Sequence, residues 1–474
     1  MKTGNLKDAP PGGCDTVSVM ERTGESTEWT PQSWRTRDAL QQPEYPDMAA
    51  LEAVLEELRA LPPLVTSWEI VQLRQLLGEA AAGRCFVLQA GDCAERFAAC
   101  TASRITNGLK VLLQMSLVLV MGAQRPVIRM GRFAGQYAKP RSAATEARDG
   151  VELPSFRGDN VNRAEFTREA RTPDPSLLLR GYERAALTLN FVRALVKGGF
   201  ADLHHPEYFE LDWAANSPLA AEYHRMVETI NEALRFTEHV LGVRAGATDR
   251  IDFYTCHEAL HLGSEEAQTR HVPRRAGCFN LATHFPWIGL RTNQPEGAHV
   301  EYMRGIENPI GIKVGAKTTR ETIGRWLDLL DPKRQPGRLT LIHRCGAERI
   351  AEELPALIEA TRAEGGNVLW IADPMHGNTQ TTASGVKTRR FDDIYSEVEQ
   401  SFDIHRAMGG KLGGVHIEVT GENVTECTGG SNGPSESDLG RAYESEVDPR
   451  LNYEQSLELA FLIARKMKAD EQAG

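Results

Sequence analysis

The chain has 474 residues, of which 41% are hydrophobic, and its 54 Lys and Arg against 65 Asp and Glu give a net charge of −11. This length can bury one large core or two ordinary ones. The acidic balance argues against a nucleic-acid binder, because a surface that follows phosphates needs an excess of basic residues.

The N-terminus, the apolar runs and the cysteines predict a cytoplasmic protein without a membrane partner. Residues Met1 to Asp15 are polar and lack the apolar segment of a secretory signal. The longest apolar stretch, Val111 to Val120, is too short to cross a bilayer. The eight cysteines form no CxxC pair and no compact framework, which fits a reducing compartment.

Residues 1–28 show no periodicity and predict a flexible tail ahead of a single domain at residues 29–474. The chain from Thr30 to Gly83 has a helical pattern. Its clearest helix is Met48 to Ala60, which Pro62-Pro63 ends. A helical extension therefore precedes the first strand.

Short runs rich in Val, Ile and Phe follow, separated by longer amphipathic segments, as in parallel sheets. They are Phe86 to Gly91, Pro126 to Gly135, Ile251 to Cys256, His284 to Arg291, Ile310 to Gly315, Leu339 to Arg344, Val368 to His376 and Val415 to Gly421. Eight such runs predict an α/β fold, the (β/α)8 TIM barrel, whose strands deliver their last residues to one rim.

The interval of about 142–250 between the second and third strands is too long for one crossover helix. It contains helical patterns at Tyr182 to Val196 and Ala220 to Val243, so we predict extra helices inserted there and packed on the barrel, a surface suited to a homo-oligomer, a dimer or a tetramer. After the last strand, Asn452 with Gln455 three residues later predicts a capped terminal helix.

Four residues of types that bind divalent cations stand at or near strand ends: Cys93, His376, Glu418 and Asp448. A barrel rim would gather them, and a metal ion there can polarise a carbonyl. Glu418 lies within the eighth strand, where an unpaired carboxylate would be costly, so a cation partner is expected.

Basic side chains stand near the same strand ends, namely Arg132, Lys139, Arg141, Arg291, Lys313 and Arg344. In an acidic chain, cations that converge on one rim suit phosphates and carboxylates. The string Lys139-Pro140-Arg141-Ser142 predicts a compact anion clamp, in which the serine hydroxyl and backbone amides complete a phosphate cradle.

A competing motif is His257-Glu258-Ala259-Leu260-His261, which matches the HExxH helix of zinc proteases. It follows directly on a strand-like run, and Gly263 comes two residues later. Little room remains for the helix on which that motif works, so a zinc hydrolase is the less favoured alternative.

Long strings in a fixed order are similar to those of a known family. They include Gln89 to Glu95, Gly131 to Ser142, Asp373 to Thr379, Gly413 to Cys427 and Asp448 to Asn452. Over roughly residues 30–468, the chain resembles the type II 3-deoxy-D-arabino-heptulosonate 7-phosphate (DAHP) synthases, transferases that open the shikimate pathway of aromatic amino acid biosynthesis.

The resemblance implies a Mn²⁺ or Co²⁺ ion and the condensation of phosphoenolpyruvate with erythrose 4-phosphate, releasing phosphate. By matching motifs, it implies Cys93, His376, Glu418 and Asp448 as metal ligands, Arg132, Arg291, Lys313 and Arg344 as phosphoenolpyruvate contacts, and Lys139, Arg141 and Ser142 as the aldose phosphate clamp. Lys313, His376 and Cys93 are the expected catalytic residues, with Lys313 or a metal-bound water moving protons.

The chain departs from the family pattern inside the site. An acidic residue usually precedes the fourth-strand arginine, and Leu290 stands there; the usual Ser/Thr-Arg-Met of the sixth strand is His343-Arg344-Cys345. Two further hypotheses follow: a paralogue in secondary metabolism with another acceptor, and a catalytically degenerate relative that binds a metal or a metabolite.

Overall fold

The computed structural model describes residues 29–198, 221–225, 227–229, 232 and 252–473. The predicted flexible tail, residues 1–28, and most of the predicted helical pattern Ala220 to Val243 lie outside the described residues.

The core of the molecule is a closed barrel of eight parallel strands. In chain order they are β1 (Phe86–Gly91), β2 (Val127–Arg132), β3 (Phe253–Glu258), β4 (Phe285–Ile288), β5 (Ile310–Val314), β6 (Leu339–His343), β7 (Leu369–Ala372) and β8 (Gly414–Glu418). Each strand pairs with its neighbours in the chain, and β1 closes the barrel by pairing with both β2 and β8. The predicted (β/α)8 barrel is confirmed.

The register of β1 brings residues distant in sequence to one level of the rim. Gly91 pairs with both Arg132 at the end of β2 and Glu418 at the end of β8. A Cβ at position 91 would lie 2.9 Å from the carbonyl oxygen of Arg132, and the φ of Gly91 is +143°. Glycine is therefore required for β1 to turn into the loop that carries Cys93.

Helices surround the barrel and extend it at both ends of the chain. The described helices are Met48–Ala60, Ser67–Ala81, Ala102–Ala123, Arg168–Arg171, Ser176–Lys197, Leu262–Ala267, Ala298–Arg304, Arg320–Leu330, Ile350–Ala363, Phe391–Ala407 and Tyr453–Ala473. Three small antiparallel ribbons pair Thr145–Arg148 with Val151–Pro154, Thr269–His271 with Cys278–Asn280, and Thr379–Thr381 with Lys387–Arg389.

Helix Ser67–Ala81 closes the end of the barrel at which the strands begin. Helix Ser67–Ala81 starts with a reciprocal capping box between Thr66 and Glu69. Its Leu73 and Leu77 belong to the same buried cluster as residues of the barrel interior. The opposite end, where the strands terminate, carries the predicted site residues.

The terminal helix Tyr453–Ala473 begins as predicted. The amide of Gln455 donates to Asn452 Oδ1 at 3.0 Å, and the amide of Asn452 donates to Gln455 Oε1 at 3.3 Å. The helix packs on Ala102–Ala123, where Gly122 lies so close to Ala464 that an added Cβ would be 2.2 Å from the alanine Cβ.

Helix Ala102–Ala123 has the length and apolar composition of a membrane span, the one such helix among the described residues. The apolar stretch judged too short to cross a bilayer is thus only the middle of a longer helix. Its apolar side chains are buried in the cluster that also contains residues of β1, β8 and the terminal helix. Packing against these elements accounts for its hydrophobicity.

The insertion between β2 and β3 contributes helix Ser176–Lys197, which includes the predicted pattern Tyr182 to Val196. Ala185 and Leu189 pack beside Ala134 and Tyr137 of the loop that follows β2. The insertion therefore supports a loop that reaches the rim.

Candidate active site

Glu418, the last residue of β8, is fully buried at the centre of a charged network on the rim. Its Oε1 accepts from Arg132 Nη2 at 2.8 Å and Lys139 Nζ at 3.3 Å, and lies 3.1 Å from His376 Nε2. Its Oε2 accepts from Arg389 Nη1 at 2.7 Å. Burial would raise the pKa of Glu418, but these cationic neighbours hold it well below its usual value.

Three of the four predicted metal ligands converge directly. Cys93, Glu418 and Asp448 each offer a ligand atom, and these atoms lie within 4.8 Å of one another. Cys93 Sγ lies 3.9 Å from Asp448 Oδ2, and His376 adjoins the group through Glu418. A thiolate, an imidazole and two carboxylates form a donor set that first-row divalent metals accept.

The ammonium of Lys139 lies among these donors. Its Nζ is 2.9 Å from Cys93 Sγ, 3.0 Å from Asp448 Oδ2 and 3.3 Å from Glu418 Oε1. Burial would lower the pKa of Lys139, but the cysteine and both carboxylates raise it above its ordinary value. The position is therefore one where the protein stabilises a positive charge.

The role of Lys139 in an aldose phosphate clamp stays a prediction. A buried ammonium takes the nearest anionic partners, and here those are the proposed metal ligands rather than the rest of the clamp. Arg141 and Ser142 line the cavity with Lys139: Arg141 Nη2 donates to Glu146 Oε1 at 2.9 Å, and Ser142 Oγ accepts from Arg291 Nη2 at 2.7 Å.

Arg132 orders the loop that carries Cys93. Its Nε donates to the carbonyl of Asp92 at 2.9 Å and its Nη2 to the carbonyl of Cys93 at 3.1 Å. Its guanidinium also lies over the ring of Trp287, with 5.3 Å from Cζ to the centroid. Several N–H groups of Arg132, a predicted phosphoenolpyruvate contact, are thus already hydrogen-bonded within the protein.

Asp373, which the sequence analysis left without a role, links two predicted site residues. It is fully buried just after β7, its Oδ2 lies 2.8 Å from His376 Nδ1, and Lys313 Nζ donates to the same oxygen. Burial would raise the pKa of Asp373, but His376 and Lys313 hold it well below its ordinary value. Asp373 therefore orients the imidazole so that Nε2 faces Glu418. The signal in the sequence is its place three residues before His376.

Lys313 projects into the same space from β5. Burial lowers its pKa to about 8, with Arg132 and Arg344 acting in the same direction and Asp373 opposing them. Arg344 follows β6, and its Nη2 donates to the carbonyl of His376. Two cations from adjacent strands thus border the imidazole.

A cavity of about 350 Å³ opens beside these groups, a size within the usual range for small-molecule sites. All the predicted anion-binding residues line it, namely Arg132, Lys139, Arg141, Ser142, Arg291, Lys313 and Arg344. His376 and Asp448 also face it, and Leu290, 37% exposed, stands where the family usually has an acid.

Glu258 is a second residue whose place the sequence analysis missed. It ends β3 and lines the cavity, and its Oε1 has no hydrogen-bond partner within the described part of the chain. Burial raises its pKa, which Lys139 and Lys313 oppose. In the sequence it stands two residues after the predicted third-strand run, and this nearness to a strand end is the signal that the HExxH match obscures.

The HExxH string does not form a metal-binding helix. His257 and Glu258 are the last residues of β3, and helix Leu262–Ala267 begins only after His261. His257 Nε2 lies 2.8 Å from Glu265 Oε1, whereas His261 Nε2 lies 3.0 Å from the hydroxyl of Tyr45. The two imidazoles therefore serve separate hydrogen bonds, and the zinc hydrolase alternative loses its structural basis.

The chain is similar over most of its length to proteins that share one name. The chain is 48% identical over 432 residues to a phospho-2-dehydro-3-deoxyheptonate aldolase of Streptomyces coelicolor, covering 91% of this chain and 96% of that one. It is 45% identical over 452 residues to the protein of the same name from Neurospora crassa, covering 92% and 94%. A solved phospho-2-dehydro-3-deoxyheptonate aldolase structure from Francisella tularensis matches at 14% identity and a TM-score of 0.45, covering 90% and 98%. The family model described as the class-II DAHP synthetase family matches residues 29–464, and the chain belongs to that family.

Proposed function

We propose that this protein is a DAHP synthase, a transferase that joins phosphoenolpyruvate to erythrose 4-phosphate and releases phosphate. The observation that supports this most is a single cavity lined by His376, Asp448 and cations from several strand ends, with Cys93 and Glu418 beside Asp448. A metal beside phosphate-binding and carboxylate-binding groups is what this condensation needs.

In the proposal, Cys93, His376, Glu418 and Asp448 hold a divalent ion, Mn²⁺ or Co²⁺. The donor set fits such an ion, and the position already stabilises the ammonium of Lys139. When bound, the ion draws electron density from the aldehyde oxygen. Two neighbouring cations repel, so Lys139 would then be available to a substrate anion, in keeping with its predicted place in the clamp.

Lys313, Arg344, Arg291 and Arg132 surround the space assigned to phosphoenolpyruvate. Arginine forks and the lysine ammonium hold its phosphate and carboxylate, and so orient the enol carbon toward the aldehyde. Because burial brings the pKa of Lys313 to about 8, its Nζ can also hold or release a proton near neutral pH. Asp373 keeps Lys313 and His376 in place through its two contacts.

Arg141 and Ser142, with Lys139, are assigned to the phosphate of the aldose. Ser142 already contacts Arg291, so the two substrate regions share a border at the loops after β2 and β4. Leu290 lies at that border, and its apolar side chain leaves the acceptor hydroxyls without the carboxylate that the family usually supplies.

The acceptor is tested by incubating pure enzyme with Mn²⁺, phosphoenolpyruvate and a panel of aldose phosphates, and measuring phosphate release. We expect erythrose 4-phosphate to have the highest kcat/KM. A higher value for another aldose phosphate would instead support the paralogue with a shifted acceptor. Absence of both turnover and metal affinity would support the degenerate relative.

Alanine substitution of one histidine from the rim site and one from the HExxH string shows which of the two supports activity. We expect His376→Ala to lower kcat/KM by at least about 100-fold, because it removes a proposed metal ligand. We expect His261→Ala to stay within about threefold of the wild type, because the hydrogen bonds it removes, to Tyr45 and to the amide of Ser264, lie outside the cavity. The opposite ranking in the same phosphate-release assay would restore the HExxH hypothesis.

The sequence also predicts a cytoplasmic homo-oligomer, a dimer or a tetramer, and we retain this in the proposal. Light scattering on the purified chain would measure the assembly, and a monomer at working concentration would contradict it.

A further inference from the structure

A second cluster of metal-ligating side chains lies away from the proposed active site. His343, Cys345 and Glu397 each offer one ligand atom, and these atoms lie within 4.8 Å of one another. All three residues are fully buried.

The cluster is on the outer side of the barrel wall. Side chains alternate along β6 and the residues that follow it. On one face, Ile342 packs in the barrel interior and Arg344 lines the substrate cavity. On the other face, Leu341 and Cys345 belong to the core between the barrel and its helices. Glu397 approaches from helix Phe391–Ala407. The cluster and the rim site therefore share β6 but face opposite ways.

The buried imidazole in this cluster is unsatisfied. Neither Nδ1 nor Nε2 of His343 has a hydrogen-bond partner among the described residues, and the same holds for Nε2 of the neighbouring His405. The two rings lie 5.9 Å apart between centroids. A buried polar atom without a hydrogen-bond partner is costly, so such a group calls for a ligand.

The donor chemistry also favours a metal. An imidazole nitrogen that is buried without a hydrogen-bond partner can offer its lone pair to a metal ion. One sulfur, one nitrogen and one oxygen donor form a set typical of zinc, whose tetrahedral ligands stand about 3.4–3.8 Å apart. The observed spacing of up to 4.8 Å is within reach of small side-chain rotations.

We propose that His343, Cys345 and Glu397 bind a second divalent ion of the zinc class. This site is distinct from the one at Cys93 and Glu418, and it uses the two positions of β6 at which the chain departs from its family's usual residues.

The ion would stabilise the rim loops from the outer side of the barrel wall. Glu397 Oε1 accepts from the amides of Cys345 at 2.9 Å and Gly346 at 3.0 Å, and its Oε2 accepts from Asn378 Nδ2 at 2.7 Å. Asn378 also donates to the carbonyl of Pro374 at 2.8 Å. The site thus joins the loops that carry Arg344 and His376, which makes its ligands positioning residues.

Cobalt can test the site, because a thiolate bound to Co²⁺ gives a charge-transfer absorption band. The parent is Cys93→Ala, which removes the rim thiolate. We expect the full-length parent to retain a cobalt–thiolate band after Co²⁺ loading and gel filtration. Adding Cys345→Met, the family's usual residue, should abolish the band, and adding Cys85→Ala, a buried cysteine elsewhere, should leave it unchanged.

Absence of a cobalt–thiolate band in the folded parent would overturn the proposal, as would a band that survives Cys345→Met. Circular dichroism identifies any variant that fails to fold. If Cys345→Met does so, His343→Ser in the same parent replaces it, and we expect a shifted or lost band. An unchanged band there also contradicts the site. These results concern metal binding alone and do not depend on the proposed reaction.

Discussion

Replacing Glu418 with glutamine is expected to lower kcat/KM by at least about 1000-fold and to prevent tight binding of the rim metal. The substitution keeps the shape of the side chain but removes the charge at the point where Arg132, Lys139 and Arg389 meet. Phosphate release and metal content per chain, measured on the same preparation, check both effects.

The same substitution should cost about 3–5 kcal/mol of folding stability, because it leaves buried cations without their shared anion. Glu266→Gln is a matched control: Glu266 is also buried and paired with arginines, Arg35 and Arg59, but it lies outside the cavity. We expect the control to be destabilised while it retains metal and activity. A Glu418→Gln protein that keeps full metal content would contradict the assigned ligand set.

The barrel was predictable because hydrophobic runs and their spacing report strands directly. Each predicted run contains or overlaps one observed strand, although the runs continue past the strand ends into the rim loops, as at β2 and β7. The capping pair Asn452 and Gln455 was predictable too, because its two residues stand only three apart in the chain. Features encoded within a few residues are the ones that a sequence reveals.

The gathering of site residues at one rim was also predictable, because parallel strands end on the same side. The hydrogen-bond and ion-pair partners of individual site residues were not predictable. Lys139 lies near Arg141 in the chain, but its ammonium contacts Cys93 and Asp448, whose positions depend on separate loops. Asp373 and Glu258 were missed for a related reason, since only the folded barrel shows which strand-end residues turn toward the cavity.

The HExxH string shows how tertiary context overrides a local motif. The same five residues would present two histidines on one face of a helix, but here the first two complete a barrel strand. The pairing of His257 with Pro286 on β4 places them in the sheet. The motif could be recognised from the sequence, whereas its secondary structure was decided by neighbouring strands.

Replacing Lys313 with methionine is expected to lower kcat/KM for phosphoenolpyruvate by about 100- to 1000-fold, because it removes a preorganised cation from the cavity. Lys333→Met is the matched control, since that lysine is exposed, precedes β6 and lines neither the cavity of the rim site nor the adjoining one. We expect the control to stay within about threefold of the wild type.

The pH dependence separates a role for the charge of Lys313 from a loss of packing. Its pKa is lowered to about 8, so the ammonium is charged below that pH and becomes neutral as the pH rises through it. Wild-type kcat/KM for phosphoenolpyruvate should therefore fall on the alkaline side of pH 8, about tenfold for each further pH unit. In Lys313→Met the residual activity should lack this alkaline decline, because the titrating group has gone. An unchanged decline in the variant would assign the titration to another group and leave Lys313 without the role proposed for it.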